Sequence, residues 1–274
     1  MAYKTVLVDL ADDGATQARL DAAFTLAANA NGRVIGLSAT GPMLDPYRSA
    51  GSEAMRYQAM RADMLRGVEQ AGTQALSDAC ARHGTPTDYM HLLVEQDAGW
   101  ALAAHGMASD IILPGLPGAP SDLPVLMASA AEYALVNAGR PLLVVPAQAR
   151  LSTINTAVVA WNGRREAARA LSDALPLLKR ANRVILVVVM GSKGLWQHGD
   201  GELLRWLGTH GVRATLAVEE SSSVAGCLLQ KVLRESADLL VAGGYGHSRL
   251  GELMIGGTTR TLLNNTPVPL LISH

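Results

Sequence analysis

Short apolar runs alternate along this chain with longer stretches in which apolar residues recur every three or four positions. Residues 3–9, with Val6, Leu7 and Val8 at the centre, predict a strand. The polar turn 11–14 follows. Leu20, Ala23, Phe24, Ala27 and Ala28 then recur at helical spacing, and Gly32 ends the helix. Residues 33–39 predict a second strand, about 52–83 a long helix, 89–94 a third strand, 96–106 a short helix and 110–113 a fourth strand. A loop rich in Pro and Gly, 114–120, leads to a helix around 126–137 and a fifth strand at 141–145.

The same order then restarts. Strands are predicted at 156–160, 183–189, 212–218, 238–242 and 267–272, with helices at 165–179, 201–210, 223–235 and 258–265. Local sequence repeats as well. Ala108-Ser-Asp-Ile-Ile-Leu-Pro-Gly115 parallels Ser236-Ala-Asp-Leu-Leu-Val-Ala-Gly243, and Arg140-Pro-Leu-Leu-Val-Val-Pro146 parallels Thr266-Pro-Val-Pro-Leu-Leu-Ile-Ser273. Strand–helix alternation at this spacing means βαβ units on a parallel sheet, an α/β fold. Self-similarity divides the chain into domains at 1–148 and 153–274. The competing reading is one doubly wound sheet of about ten strands.

Composition agrees. Hydrophobic residues make up 49% of the 274 and charged residues 17%, which excludes a disordered chain. Aromatics are 4%, with one Phe, so the core is built from Ala, Val, Leu and Ile, as suits strands covered on both faces. A net charge of −1 without blocks of like charge argues against nucleic acid as a partner and against a basic membrane anchor. Cys80 and Cys227 stand far apart, outside any CxxC pair, so neither a disulfide framework nor a zinc site is expected. No HExxH or paired His spacing points to another metal site. The first apolar run is too short for a signal peptide, and no stretch has the length of a membrane span. A cytoplasmic location is the expectation.

Ligands of open parallel sheets bind beyond the carboxyl ends of the strands. The strongest candidate there is the stretch 243–259, which follows a predicted strand and opens a helix. Gly243 and Gly246 would let backbone N–H groups approach a phosphate. Gly256-Gly257 precedes the helix, whose N-terminal N–H groups and dipole suit an anion. Thr258 and Thr259 add hydroxyls, and Arg260 or His247 would add charge. The spacing alone is weak, and the same residues read equally well as a helix cap with tight turns. Asn162-Gly163, after the first strand of the second half, likewise reads as a plain turn. No Gly-x-Ser-x-Gly elbow or Gly-Lys-Ser/Thr loop is present.

Gly243-x2-Gly246-x9-Gly256 followed by Thr266-Pro-Val-Pro-Leu-Leu-Ile resembles the C-terminal signature of the universal stress protein family. The resemblance covers essentially the whole chain, as two copies. It implies two Rossmann-like domains of the adenine nucleotide alpha hydrolase type, each a five-stranded parallel sheet flanked by helices, related by a pseudo-twofold through their last strands. It also implies that ATP, with magnesium, would lie on Gly243, Gly246, His247, Gly256, Gly257 and Thr258. Adenine and ribose would then lie near Asn162, Gly163 and Val189. Two departures stand out: Gly257 follows the third glycine where Ser or Thr is usual, and Asn162 replaces an acid. The first half departs further. Ala11 takes the position of the usual acid, Gly115 and Gly118 remain, and the third glycine is missing, so no ordinary nucleotide site is expected there.

Three functions compete. One is a nucleotide-binding stress or signalling protein, in which hydrolysis would be slow because no general base stands beside the loop. Another is an interaction module of the same fold that binds no nucleotide. The third is an enzyme of a related adenine-nucleotide class, for which the extra motifs are missing. A further homodimer is compatible with the sequence.

Overall fold

The structure is a computed structural model that describes residues 2–42, 52–116, 129–190, 200–245 and 257–274, with the Asp200 side chain left aside. The first half contains β1 (Thr5–Asp9), α1 (Thr16–Ala28), β2 (Arg33–Ala39), α2 (Ser52–His83), β3 (Asp88–Val94), α3 (Ala98–Gly106), β4 (Ile111–Leu113), α4 (Ala130–Asn137) and β5 (Leu142–Val144). The second contains β6 (Thr156–Ala160), α5 (Arg165–Leu178), β7 (Arg183–Met190), α6 (Asp200–Thr209), β8 (Ala214–Glu220), α7 (Val224–Arg234), β9 (Leu239–Gly243), α8 (Gly257–Asn265) and β10 (Leu270–Ser273).

All these strands join one ten-stranded sheet in the order β3-β2-β1-β4-β5-β10-β9-β6-β7-β8. Neighbours within each half are parallel, and the order of the first half recurs, mirrored, in the second. The halves meet where β5 and β10 pair antiparallel, with Leu142 opposite Ile272, Leu143 opposite Leu271 and Val144 opposite Leu270. Both sequence readings thus hold a part: the sheet is continuous, and its order is duplicated. The fold is α/β, two Rossmann-like units of five parallel strands.

The apolar runs of the central strands face helices on both sides, which is why they are continuous rather than alternating. One core layer joins Leu20, Phe24 and Leu76 of α1 and α2 to Leu171, Leu178 and Leu207 of α5 and α6. The other joins Leu102 and Leu135 of α3 and α4 to Leu228 and Leu262 of α7 and α8. Several boundaries shift by a few residues from the sequence reading. β8 starts at Ala214 and runs on to Glu220, where its pairing with β7 carries it past the apolar stretch. α4 starts after Ser129, whose hydroxyl accepts the Glu132 N–H while the Glu132 carboxylate accepts the Ser129 N–H. Residues 126–128 of that expected helix lie outside the described residues.

Strand order reverses beside β1 in the first half and beside β6 in the second. The clefts at these switch points lie between the ends of β1 and β4, and of β6 and β9.

Candidate functional site

In the second half, β6 ends at Ala160 and a four-residue turn leads into α5. Asn162 Oδ1 accepts the Arg164 N–H at 3.0 Å, and Gly163 takes φ 70°, so these two residues form a side-chain-closed turn. The Asn162 carbonyl is therefore used locally. Val189 lies half-buried near the end of β7, paired with Glu219.

The short turn brings the start of α5 against the end of β9. A Cβ on Gly243 would stand 2.6 Å from Ala167 N and from Glu166 C. Glycine is thus required at 243 by packing, whatever binds there. At Gly244 a Cβ would lie 2.8 Å from Leu135 Cδ2 of the first half, the end of a side chain that can yield. The Gly244 N–H donates to Ser273 O at 2.8 Å, and His274 Nδ1 donates to Gly244 O at 3.1 Å. Tyr245 follows with φ 54°, and its N–H donates to Thr259 Oγ1 at 3.1 Å. Beyond it, Gly246, His247 and Gly256 lie outside the described residues. Gly257 and Thr258 are exposed at the start of α8, and a Cβ on Gly257 would meet open space.

Charge around this cleft is partly committed. Glu166 is buried in the first turn of α5. Burial pushes its carboxyl up, but the Arg165 hydrogen bond and its own N–H outweigh that and hold it low. Glu132, from the first half, meets Arg260 and Tyr245. Its burial is likewise outweighed, by Arg260 and Ser129, and its carboxyl lies below the usual range. The Tyr245 hydroxyl is pushed up, first by burial and then by the adjacent Glu132.

The corresponding cleft of the first half is closed by the chain itself. Leu10 N–H donates to Leu37 O as Trp161 N–H does to Val187 O, so Ala11 matches Asn162. The acids that matter are Asp9 and Asp13, which sequence reading passed over. Asp9 is 4% exposed and accepts the N–H groups of Ala11 and Gly115, each at 3.0 Å. Asp13 accepts those of Ala15 at 3.0 Å and Leu116 at 2.6 Å. Arg19, fully buried, donates to Asp9 O and Ala11 O at 2.7 Å and pairs with Asp13. Burial raises the Asp9 carboxyl, against the pull of Arg19 and of the two N–H groups. An anion seeking the N–H groups after β4 would have to displace two carboxylates. One signal existed in the sequence: an arginine beside Leu20 on an otherwise apolar helical face.

Among the described residues, no group of three His, Cys, Asp or Glu side chains has metal-binding geometry, and no helix is long and apolar enough to cross a membrane.

No family model matches the chain, and no curated protein matches it. Solved structures do. A universal stress protein from Archaeoglobus fulgidus DSM 4304 aligns with 98% of this chain and 95% of its own length, at 17% identity and a TM-score of 0.71. A functionally unknown protein from Pseudomonas aeruginosa PAO1 aligns with 99% and 92%, at 15% identity and a TM-score of 0.59. At such identities the likeness is one of architecture. Over almost its whole length, this chain has the fold of the Archaeoglobus fulgidus universal stress protein.

Proposed function

We propose that the chain is a tandem universal stress protein that takes up ATP, or a related adenine nucleotide, in its second half, and acts in stress response or signalling in the cytoplasm. The observation that carries this reading is the asymmetry of the two clefts. After β4 the backbone donors are held by Asp9 and Asp13. In the second half Ala160, at the end of β6, stands where Asp9 does, and the start of α8 presents Gly257 and Thr258 to solvent. The first-turn N–H groups of α8 and the Thr258 hydroxyl fit a phosphate. Magnesium would be carried by the phosphates themselves, as is usual for this small, strongly hydrated ion. Val189 at the end of β7 and the turn at Asn162 would border the base and ribose. The role is binding, with hydrolysis at most slow.

A second reading, an interaction module without nucleotide, is favoured by the packing role of Gly243 and by the local use of the Asn162 carbonyl. Titration calorimetry with ATP and magnesium decides between them, run on the intact protein beside Gly257→Asp. That substitution has room for its side chain and suits a helix N-terminus, so the fold is kept while an added carboxylate opposes phosphate. One binding event per chain, lost in the variant, supports the nucleotide reading. Neither heat nor a thermal shift at millimolar ATP would leave the interaction module.

A further inference from the structure

Glu132 belongs to the first half, yet its carboxylate gathers partners from the second. It is 5% exposed and closes the first turn of α4 by accepting the Ser129 N–H at 2.8 Å. Its Oε1 also accepts the Tyr245 hydroxyl at 3.2 Å and Arg260 Nε at 3.0 Å, and Arg260 Nη2 lies 3.5 Å from Oε2. Tyr245 is the last described residue after β9, and Arg260 stands in the first turn of α8. One carboxylate therefore touches both flanks of the glycine-rich stretch from the opposite half.

Those flanks need holding. Tyr245 sits at φ 54°, a left-handed conformation that is unfavourable for a bulky side chain and persists only where several contacts impose it. The contacts are its hydroxyl to Glu132, its N–H to the buried Thr259 Oγ1, and its ring edge-on to His274 at 6.3 Å. Charge-assisted hydrogen bonds to a nearly buried carboxylate are the strongest of these and are little screened by water.

We propose that Glu132 is a positioning residue for the second-half site: it orders the turn after β9 and the start of α8, so that the site is shared between the halves. This inference rests on the nucleotide reading for its purpose and on the geometry of Glu132, Tyr245 and Arg260 for its substance. Loss of the carboxylate releases both flanks together. Glutamine keeps an acceptor for Tyr245 and loses the charge that holds Arg260.

Amide exchange of the intact chain, followed by mass spectrometry, tests it directly. Glu132→Ala is expected to speed exchange at residues 243–245 and 257–261 by about tenfold or more, as loss of a charge-assisted hydrogen bond implies. Exchange in β1 and β6 should stay unchanged, and Glu132→Gln should fall in between. ATP affinity should drop in the same order, by about tenfold for Ala. Unchanged exchange at the two flanks, or an even rise over all strands, overturns the proposal. So does a local rise with unaltered ATP affinity. Tyr245→Phe is the check should Glu132→Ala not fold: it should speed exchange at 243–245 and leave α4 as it was. If the wild type takes up no ATP, the nucleotide reading fails, and the exchange data alone decide whether Glu132 orders the two flanks.

Discussion

Arg19 Nη1 stands 2.9 Å from both carboxylate oxygens of Asp13. Asp13 in turn accepts the Leu116 N–H across the cleft, so a helix, a turn and the loop after β4 are joined through one buried ion pair. The arrangement gives the first half a fixed ion pair where its second-half counterpart has a short Asn-Gly turn ending in Arg164.

Breaking that pair should be costly. Asp13→Ala leaves a fully buried guanidinium without its partner, and stability should fall by about 3 kcal/mol or more in urea denaturation. Added formate should restore part of the loss, since a small carboxylate fits the vacated place. A loss under about 1 kcal/mol, the size of an exposed pair, would contradict the buried role.

Gly243 and Gly257 should respond oppositely to the same change. Gly243→Ala forces a Cβ onto the backbone of Glu166 and Ala167, and should destabilise by about 1–3 kcal/mol. Gly257→Ala meets open space in a helix and should stabilise by about 0.5–1 kcal/mol. Chemical denaturation of the two variants side by side gives the comparison. Two losses of equal size would contradict it.

Glu132 should leave a mark on the acid limb of the stability curve. Its folded carboxyl lies below the ordinary glutamate value, so in the window between them the unfolded chain binds more protons. The stability it supplies is present above the unfolded value of about 4.3 and is lost as pH falls through the depressed one. Asp9 and Asp173, whose carboxyls are raised by burial, act in the opposite sense. Glu132→Gln should therefore flatten the decline below about pH 4.5. A decline as steep as that of the wild type would show that the pair with Arg260 does not distinguish the folded state.

Tyr3 ties the start of the first half to the second, its hydroxyl donating to Asp173 O at 2.6 Å from a buried position. Tyr3→Phe keeps the ring and removes that hydrogen bond, and should cost about 0.5–1.5 kcal/mol. Thermal unfolding should remain a single transition, because the β5–β10 pairing is untouched.

Strands and helices were legible because their rhythm is local: Val6–Leu7–Val8 and Val158–Val159 announce buried strands without help from distant residues. The groups that give the clefts their character were not, because their partners are remote in sequence. Asp9 meets Gly115 across 106 residues, and Glu132 meets Tyr245 and Arg260 across 113 and 128. Glu132 also caps α4. Nothing local announces its second task. Gly243 shows the converse. Its place in a glycine pattern suggested a phosphate, and packing against α5 accounts for it unaided.

The antiparallel joint between β5 and β10 has a consequence for the two halves as separate molecules. Each would present that strand as an open sheet edge, with a row of unpaired backbone donors and acceptors beside fully buried leucines. Such an edge is a template for another strand, and the best-matched one is its own counterpart. Severed between residues 146 and 154, the chain should stay associated as a two-piece particle. Either piece made alone should pair with itself or aggregate rather than persist as a monomer.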